Sequence, residues 1–169
     1  MKLNVIGTTM GTSGYDIHTK YLANALNELD DVDVCLSTNL VPDWERQVTD
    51  KELEMLKRNP EDCDTTLFIG TPPSWSLYMD DDKRFIGFLV WEGDKISVGW
   101  LDIILDKRVH QIWVPSQHTK DAILNTNLDT TDIIGVPNWD YHKNKIENKI
   151  KIVPHGVDTK LFFPKEIIT

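Results

Sequence analysis

The first 29 residues constrain the fold of this chain more than any other stretch. An apolar run at residues 3–6 leads into a loop that carries Gly7, Gly11 and Gly14. After the loop, apolar residues recur every four positions, with two leucines beside them: Ile17, Tyr21, Ala25 and Leu29, with Leu22 and Leu26. That spacing predicts one apolar face of an amphipathic helix. A strand that passes through a glycine-rich turn into a helix is the opening unit of a doubly wound α/β sheet.

The glycine-rich turn has two interpretations. The glycines either make a tight connection between strand and helix, or they border a ligand cleft at the carboxyl ends of the strands. In the second case, unpaired N–H groups at the helix start would meet an anionic ligand. However, the spacing Gly-x3-Gly-x2-Gly is not the dinucleotide pattern. The next predicted strand, 32–36, is followed by Ser37 and Thr38 and lacks the acidic residue that holds an NAD ribose. Nicotinamide binding is therefore disfavoured.

Composition narrows the classes of function. At 169 residues the chain is long enough for one domain with a substantial core. Its net charge of −9 and its lack of a basic tract argue against nucleic acid and against docking on anionic lipid by charge alone. No run of about eighteen apolar residues occurs, and Met1 leads directly into the first strand, so we expect no integral membrane segment and a cytoplasmic location. Cys35 and Cys63 lack metal spacing and are expected to be reduced thiols.

Predicted strands and helices alternate along the rest of the chain. Further strands are expected at 65–70, 84–91, 111–115 and 150–154. Helices are expected after the capping box of Thr49 and Glu52, at 99–108 and at 117–125. The polar stretch 125–149 predicts a long excursion that could hold one short strand. This order predicts a single α/β domain with a Rossmann-like, doubly wound parallel sheet.

Two predicted strands end in loops that carry tryptophan. Trp75 lies in the stiff loop 71–75 after the third strand, where it could stack on a sugar or, as the favoured alternative, pack on its own domain. Trp91 and Glu92 end the apolar run 84–91. Both loops should face the cleft side of the sheet.

Three motifs carry a resemblance to a known family: residues 112–119 (IWVPSQHT), residues 151–158 (KIVPHGVD) with Phe162, Phe163 and Pro164 after them, and Trp91 and Glu92 ahead of Trp100. They are similar to the "vwvPS" turn, the "hGvD…F.P" junction and the "WE…W" arrangement of family 4 glycosyltransferases. Those proteins are retaining enzymes of the two-domain GT-B fold. With the glycine loop included, the resemblance covers essentially the whole chain.

The resemblance implies that residues 1–169 are an acceptor-binding domain. A donor-binding domain absent from this chain would work with it in cis or in trans. Gly11 and Gly14 match the family loop that approaches the donor phosphates, where backbone N–H groups can stabilise a departing diphosphate. Many family members place a histidine where this chain has Glu92. Glu92 could hold an acceptor hydroxyl or act as a base, or it could simply pair with Lys95 or a backbone amide.

The expected acceptor contacts are Tyr15, Trp75, Trp91 and His155. For His155, packing at the junction is an equal alternative. Because the family resembles metal-independent catalysts, we expect no metal, and no cofactor besides the nucleotide-sugar substrate. The main hypothesis is the acceptor-side domain of a retaining glycosyltransferase, inactive by itself. The alternatives are a non-catalytic half-enzyme or binding module that needs a separate donor-binding subunit, and, more weakly, another nucleotide-binding Rossmann-type domain.

Overall fold

One six-stranded sheet forms the centre of the molecule. The computed structural model describes residues 1–9, 11–38, 48–126 and 139–156. The strands are β1 (Lys2–Gly7), β2 (Asp33–Thr38), β3 (Thr65–Ile69), β4 (Arg84–Phe88), β5 (Val109–Val114) and β6 (Ile150–Ile152). Every neighbouring pair is parallel, in the spatial order β2-β1-β3-β4-β5-β6. The predicted single α/β domain with a Rossmann-like parallel sheet is confirmed.

Six α-helices connect the strands within these ranges. They are α1 (Gly14–Leu26), α2 (Asp50–Leu56), α3 (Pro72–Trp75), α4 (Leu101–Leu105), α5 (Gln117–Leu124) and α6 (Trp139–Lys149). The predicted capping box is present at α2, where the Glu52 amide donates to Thr49 Oγ1 (3.3 Å) and the Thr49 amide donates to Glu52 Oε2 (2.8 Å). The capping residues therefore predicted the start of α2 correctly.

Alternate strand residues feed two apolar clusters on opposite faces of the sheet. One cluster joins Leu3 and Val5 of β1 to Ala23 of α1 and Met55 of α2. The other joins Ile6 of the same strand to apolar side chains of α3, α4, α5 and α6. Successive side chains of a strand point to opposite faces, so helices cover both faces of the sheet.

Only part of the predicted apolar face of α1 contacts the core, where Leu22 and Leu26 pack against the cluster on that side of the sheet. Ile17, Tyr21 and Leu29 are 44%, 60% and 51% exposed, whereas Thr19 and Ala23 are buried. Close packing sets this rotation, because a Cβ on Gly7 would lie 2.4 Å from Thr19 Oγ1. The glycine in β1 thus lets a small polar residue of α1 lie directly against the strand.

Two further predictions about elements need correction. Residues 71–75 are not a loop, because Pro72 begins the short helix α3, and proline is well suited to the first turn. The predicted excursion 125–149 contains the eleven-residue helix α6. Few side chains of α6 contact the rest of the domain. Ile146 is fully buried, and Lys149 Nζ donates to the carbonyls of Ile104 (3.1 Å) and Asp106 (2.9 Å). Residues 127–138, including the isolated Ile133 and Ile134, lie outside the described residues.

Candidate functional site

The carboxyl ends of the parallel strands meet at one edge of the sheet, which we call the carboxyl edge. The loop after β1 carries Gly11 and leads to Gly14 and Tyr15 at the start of α1. Trp91 and Glu92 follow β4, and His155 follows β6. The topology therefore places all six of these predicted residues at the carboxyl edge, where open α/β sheets bind their ligands.

Asp16 holds the glycine loop together from inside. This buried carboxylate accepts hydrogen bonds from the Gly11 amide (2.9 Å), the Ser13 amide (3.1 Å) and the Ser13 hydroxyl. Burial alone would raise the pKa of Asp16, but the hydrogen bonds from Ser13 and Gly11 outweigh it and lower that pKa. The Gly11 amide is consequently paired within the loop, and a phosphate would have to compete with Asp16 for it.

Gly14 differs from Gly11 because the space beside it is open. It is the first residue of α1, and a Cβ built there would meet nothing within 4 Å. A ligand can thus approach the backbone at this point without displacing a side chain. Gly14 therefore fits the predicted cleft position better than Gly11 does.

Tyr15 contacts the chain segment after β4 that also carries Glu92. Tyr15 Oη lies 3.5 Å from the Val90 carbonyl, to which it donates, and its side chain is 41% exposed. Burial raises the pKa of Tyr15, and the negative charge of Glu92 raises it further. A phenol and an exposed carboxylate thus lie at the same part of the carboxyl edge.

The start of α5 fixes the backbone that carries Trp91 and Glu92. Thr119 Oγ1 donates to the Trp91 carbonyl (3.1 Å), and His118 Nε2 donates to the Glu92 carbonyl (3.1 Å). These two positioning residues belong to the "vwvPS" turn but were not predicted to contact the carboxyl-edge loop. The contact of His118 and Thr119 with the loop after β4 arises because β4 and β5 are neighbours in the sheet, which the sequence alone does not show.

The Trp91 side chain is largely occupied by its own loop. Its indole N–H donates to the Lys95 carbonyl (2.8 Å), and its ring makes an edge-on contact with Trp100 at 4.9 Å between centroids. The ring also packs against the apolar cluster of α4 and α5. Trp91 thus shapes the loop that presents Glu92, and only its remaining exposed surface could contact a ligand.

His155 joins an aromatic group that includes a residue missed from the sequence. Its ring lies 4.4 Å from the ring of His18 and 5.9 Å from that of Phe88, measured between centroids. Burial, and secondarily the charge of His155, lowers the pKa of His18 to about 4. His18 Nδ1 is buried without a hydrogen-bond partner. His155 therefore packs against His18 and Phe88, and its side chain is nevertheless exposed to solvent.

Trp75 is buried in the core and offers no surface to a ligand. Its side chain is 0% exposed, and its indole N–H donates to the Gly70 carbonyl (2.9 Å). The ring fills the space left by Gly87 of β4, where a Cβ would lie 2.4 Å from Trp75 Cζ2. The expected acceptor contact is corrected here, and the favoured alternative, packing on its own domain, is confirmed.

Comparison with known proteins assigns no family to this site. No protein-family model matches the chain, and no curated protein matches it. Among residues 1–9, 11–38, 48–126 and 139–156, no cluster of three or more histidine, cysteine or acidic residues could hold a metal ion. None of the helices in those ranges is long and apolar enough to cross a bilayer.

Proposed function

We propose that this chain is the acceptor-side domain of a retaining, cytoplasmic glycosyltransferase that transfers a sugar from a nucleotide-sugar donor to a hydroxyl acceptor. The observation that carries the proposal is that Tyr15, hydrogen-bonded to the segment after β4, lies at the same edge as the exposed Glu92, with free space beside Gly14. A cleft with an aromatic face, a carboxylate and a backbone approach has the groups that sugar recognition requires.

Each carboxyl-edge residue has a distinct part in the proposal. The Glu92 carboxylate accepts a hydrogen bond from the acceptor hydroxyl or takes its proton as a base. Tyr15 lies against the sugar ring, and His155 lines the same edge after β6. Gly14 leaves room for the donor diphosphate, which a second α/β domain, in cis or in trans, would hold. No metal or additional cofactor takes part.

A second candidate is a binding module that takes up the acceptor sugar but does not itself contact the donor phosphates. The hydrogen bonds from Gly11 and Ser13 to Asp16 favour this candidate, because they use amides that a diphosphate would otherwise bind. The two candidates share the acceptor site and differ in whether the glycine loop takes part in transfer.

Calorimetry separates an acceptor site from a donor site. The purified chain, titrated with UDP-glucose and with GDP-mannose, should show weak binding at best, since the main nucleotide contacts belong to the other domain. Tight binding of either nucleotide sugar would contradict the assignment of acceptor and donor sides.

Substitution of Gly14 separates the two candidates in an enzyme that contains both domains. Gly14→Val should preserve the fold, because the space around the new side chain is open, and should abolish sugar transfer by filling the approach to the helix start. Gly99→Ala is the matched control, since a Cβ there also meets nothing within 4 Å. Full transfer activity in Gly14→Val would remove the loop from the mechanism and favour the binding module.

A further inference from the structure

The two cysteines lie together at the opposite edge of the sheet from the candidate site. Cys63 comes just before β3, and Cys35 is the third residue of β2. Both line a cavity of about 190 Å³ whose wall also includes Lys2 and Asp33, the first residues of β1 and β2. This position is remote from the carboxyl edge, and no residue of the candidate site lines the cavity.

Both thiols are buried, and both lie on the wall of that cavity. Their side chains are 2% and 6% exposed, and neither is in a disulfide. Cys35 Sγ donates a hydrogen bond to the Arg58 carbonyl (3.2 Å). Two thiols on the wall of one small cavity can reach the bonding distance of a disulfide through a local shift of the chain.

We propose that Cys35 and Cys63 form an intramolecular disulfide when the protein meets an oxidising low-molecular-weight disulfide. The Cys35 thiolate attacks one sulfur of the small disulfide, and the other half leaves as a thiolate. Cys63, after losing its proton, attacks the Cys35 sulfur of this mixed disulfide and releases the second half. The cysteine pair loses two electrons and two protons, and the small disulfide gains them to become two thiols.

The surroundings identify Cys35 as the attacking group. Burial raises the pKa of both thiols, and that of Cys63 reaches about 11. Hydrogen bonds from Ser37 and Cys63 and the positive charge of Arg58 oppose this effect at Cys35. The cavity supplies an approach to the pair. Its wall carries both signs of charge, since Asp33, which pairs with Arg58, and Asp62 lie beside Lys2, and it therefore suits an oxidant with both carboxylates and ammonium groups, such as glutathione disulfide.

Incubation of the native chain with glutathione disulfide tests the proposal directly. The chain has two cysteines, so the free thiol count should fall from two to zero, the mass should fall by two hydrogen atoms, and the chain should stay monomeric on a non-reducing gel. Dithiothreitol should restore both thiols. The rate should rise about tenfold per pH unit near neutrality, because only the thiolate attacks.

Two single variants, checked for native circular dichroism, control for chance reactivity. Cys63→Ser should keep one stable glutathione adduct on Cys35, because no second thiol resolves it, whereas Cys35→Ser should gain an adduct on Cys63 far more slowly. Stable adducts on both cysteines of the native chain, a disulfide-linked dimer, or thiols that react only in urea would each overturn the proposal. A rate independent of pH would overturn the assignment of a thiolate attack.

Discussion

At the scale of single residues, Asp16 decides how the glycine loop is held. Its carboxylate lies within the loop just ahead of α1, where it accepts hydrogen bonds from two backbone amides and one hydroxyl. The sequence pattern predicted the loop but not this internal occupant, because Asp16 is also an ordinary choice for the first turn of a helix. Its burial depends on how α1 lies against β1.

Replacement of Asp16 by asparagine should loosen the loop. Asp16→Asn keeps the size of the side chain but removes the charge that strengthens these hydrogen bonds, so the free energy of unfolding should fall by about 1–2 kcal/mol. Urea denaturation measures the change. Asp50→Asn, in the exposed first turn of α2, is the matched control and should change stability far less. Equal effects of the two substitutions would contradict the role given to Asp16.

The His18 imidazole should make stability depend on pH. Its pKa in the folded chain, about 4, lies below the ordinary value of 6.5, so the unfolded chain binds the proton more readily. His18 therefore contributes fully to the free energy of unfolding above pH 6.5, and this contribution is lost as the pH falls toward 4. Because the ring is partly solvated, we expect a loss on the order of 1 kcal/mol.

An NMR titration of the His18 ring checks this pKa. His18→Phe keeps an aromatic ring beside Phe88 and should remove the corresponding part of the stability loss between pH 6.5 and 4. An imidazole that titrates near 6.5 in the folded protein would contradict the burial of His18.

At the scale of elements, Trp75 and Gly87 show how α3 and β4 depend on each other. The indole of α3 lies where a side chain of β4 would otherwise project. No local pattern connects a tryptophan to a glycine twelve residues later in another element. The sequence therefore left both interpretations of Trp75 open, and the tertiary packing of these two elements decided between them.

A methyl group on Gly87 should destabilise the protein markedly. In Gly87→Ala the new Cβ would lie 2.4 Å from the Trp75 ring, so the ring or the strand must shift, at a cost of about 1–3 kcal/mol. Thermal or urea unfolding measures this cost, and Gly99→Ala serves again as the open-space control. A Gly87→Ala variant as stable as the control would show that Trp75 does not fill this space in solution.

Helices α1 and α6 mark the limits of periodicity as a predictor. In α1 the stripe of Ile17 and Tyr21 predicted the helix correctly but not its buried face, which Thr19 and Ala23 form against β1. The polar composition of α6 gave no apolar periodicity from which to predict a helix. One buried isoleucine and the hydrogen bonds from Lys149 to two carbonyls hold this helix against the domain. By contrast, capping residues gave the starts of α2 and α5 correctly, since their hydrogen bonds are local.

At the scale of the whole molecule, the order of strands brings the candidate site together. Tyr15 and Glu92 are far apart in sequence, and they lie at the same edge because β1, β3 and β4 are neighbouring parallel strands. Strand and helix alternation was sufficient to predict the parallel sheet and the edge at which its loops gather. It could not predict which side chains remain accessible there, because that depends on contacts such as Thr119 with the Trp91 carbonyl.

The central claim is that the carboxyl edge forms one wall of a sugar-binding cleft. Chemical-shift mapping of the isotopically labelled chain tests it most directly, with a panel of methyl glycosides as the acceptor probes. We expect at least one glycoside to shift the amide signals of Tyr15, Glu92 and His155, and we expect Glu92→Gln to weaken this response. Glycosides that leave the carboxyl edge unchanged, or that shift only residues elsewhere on the chain, would contradict it.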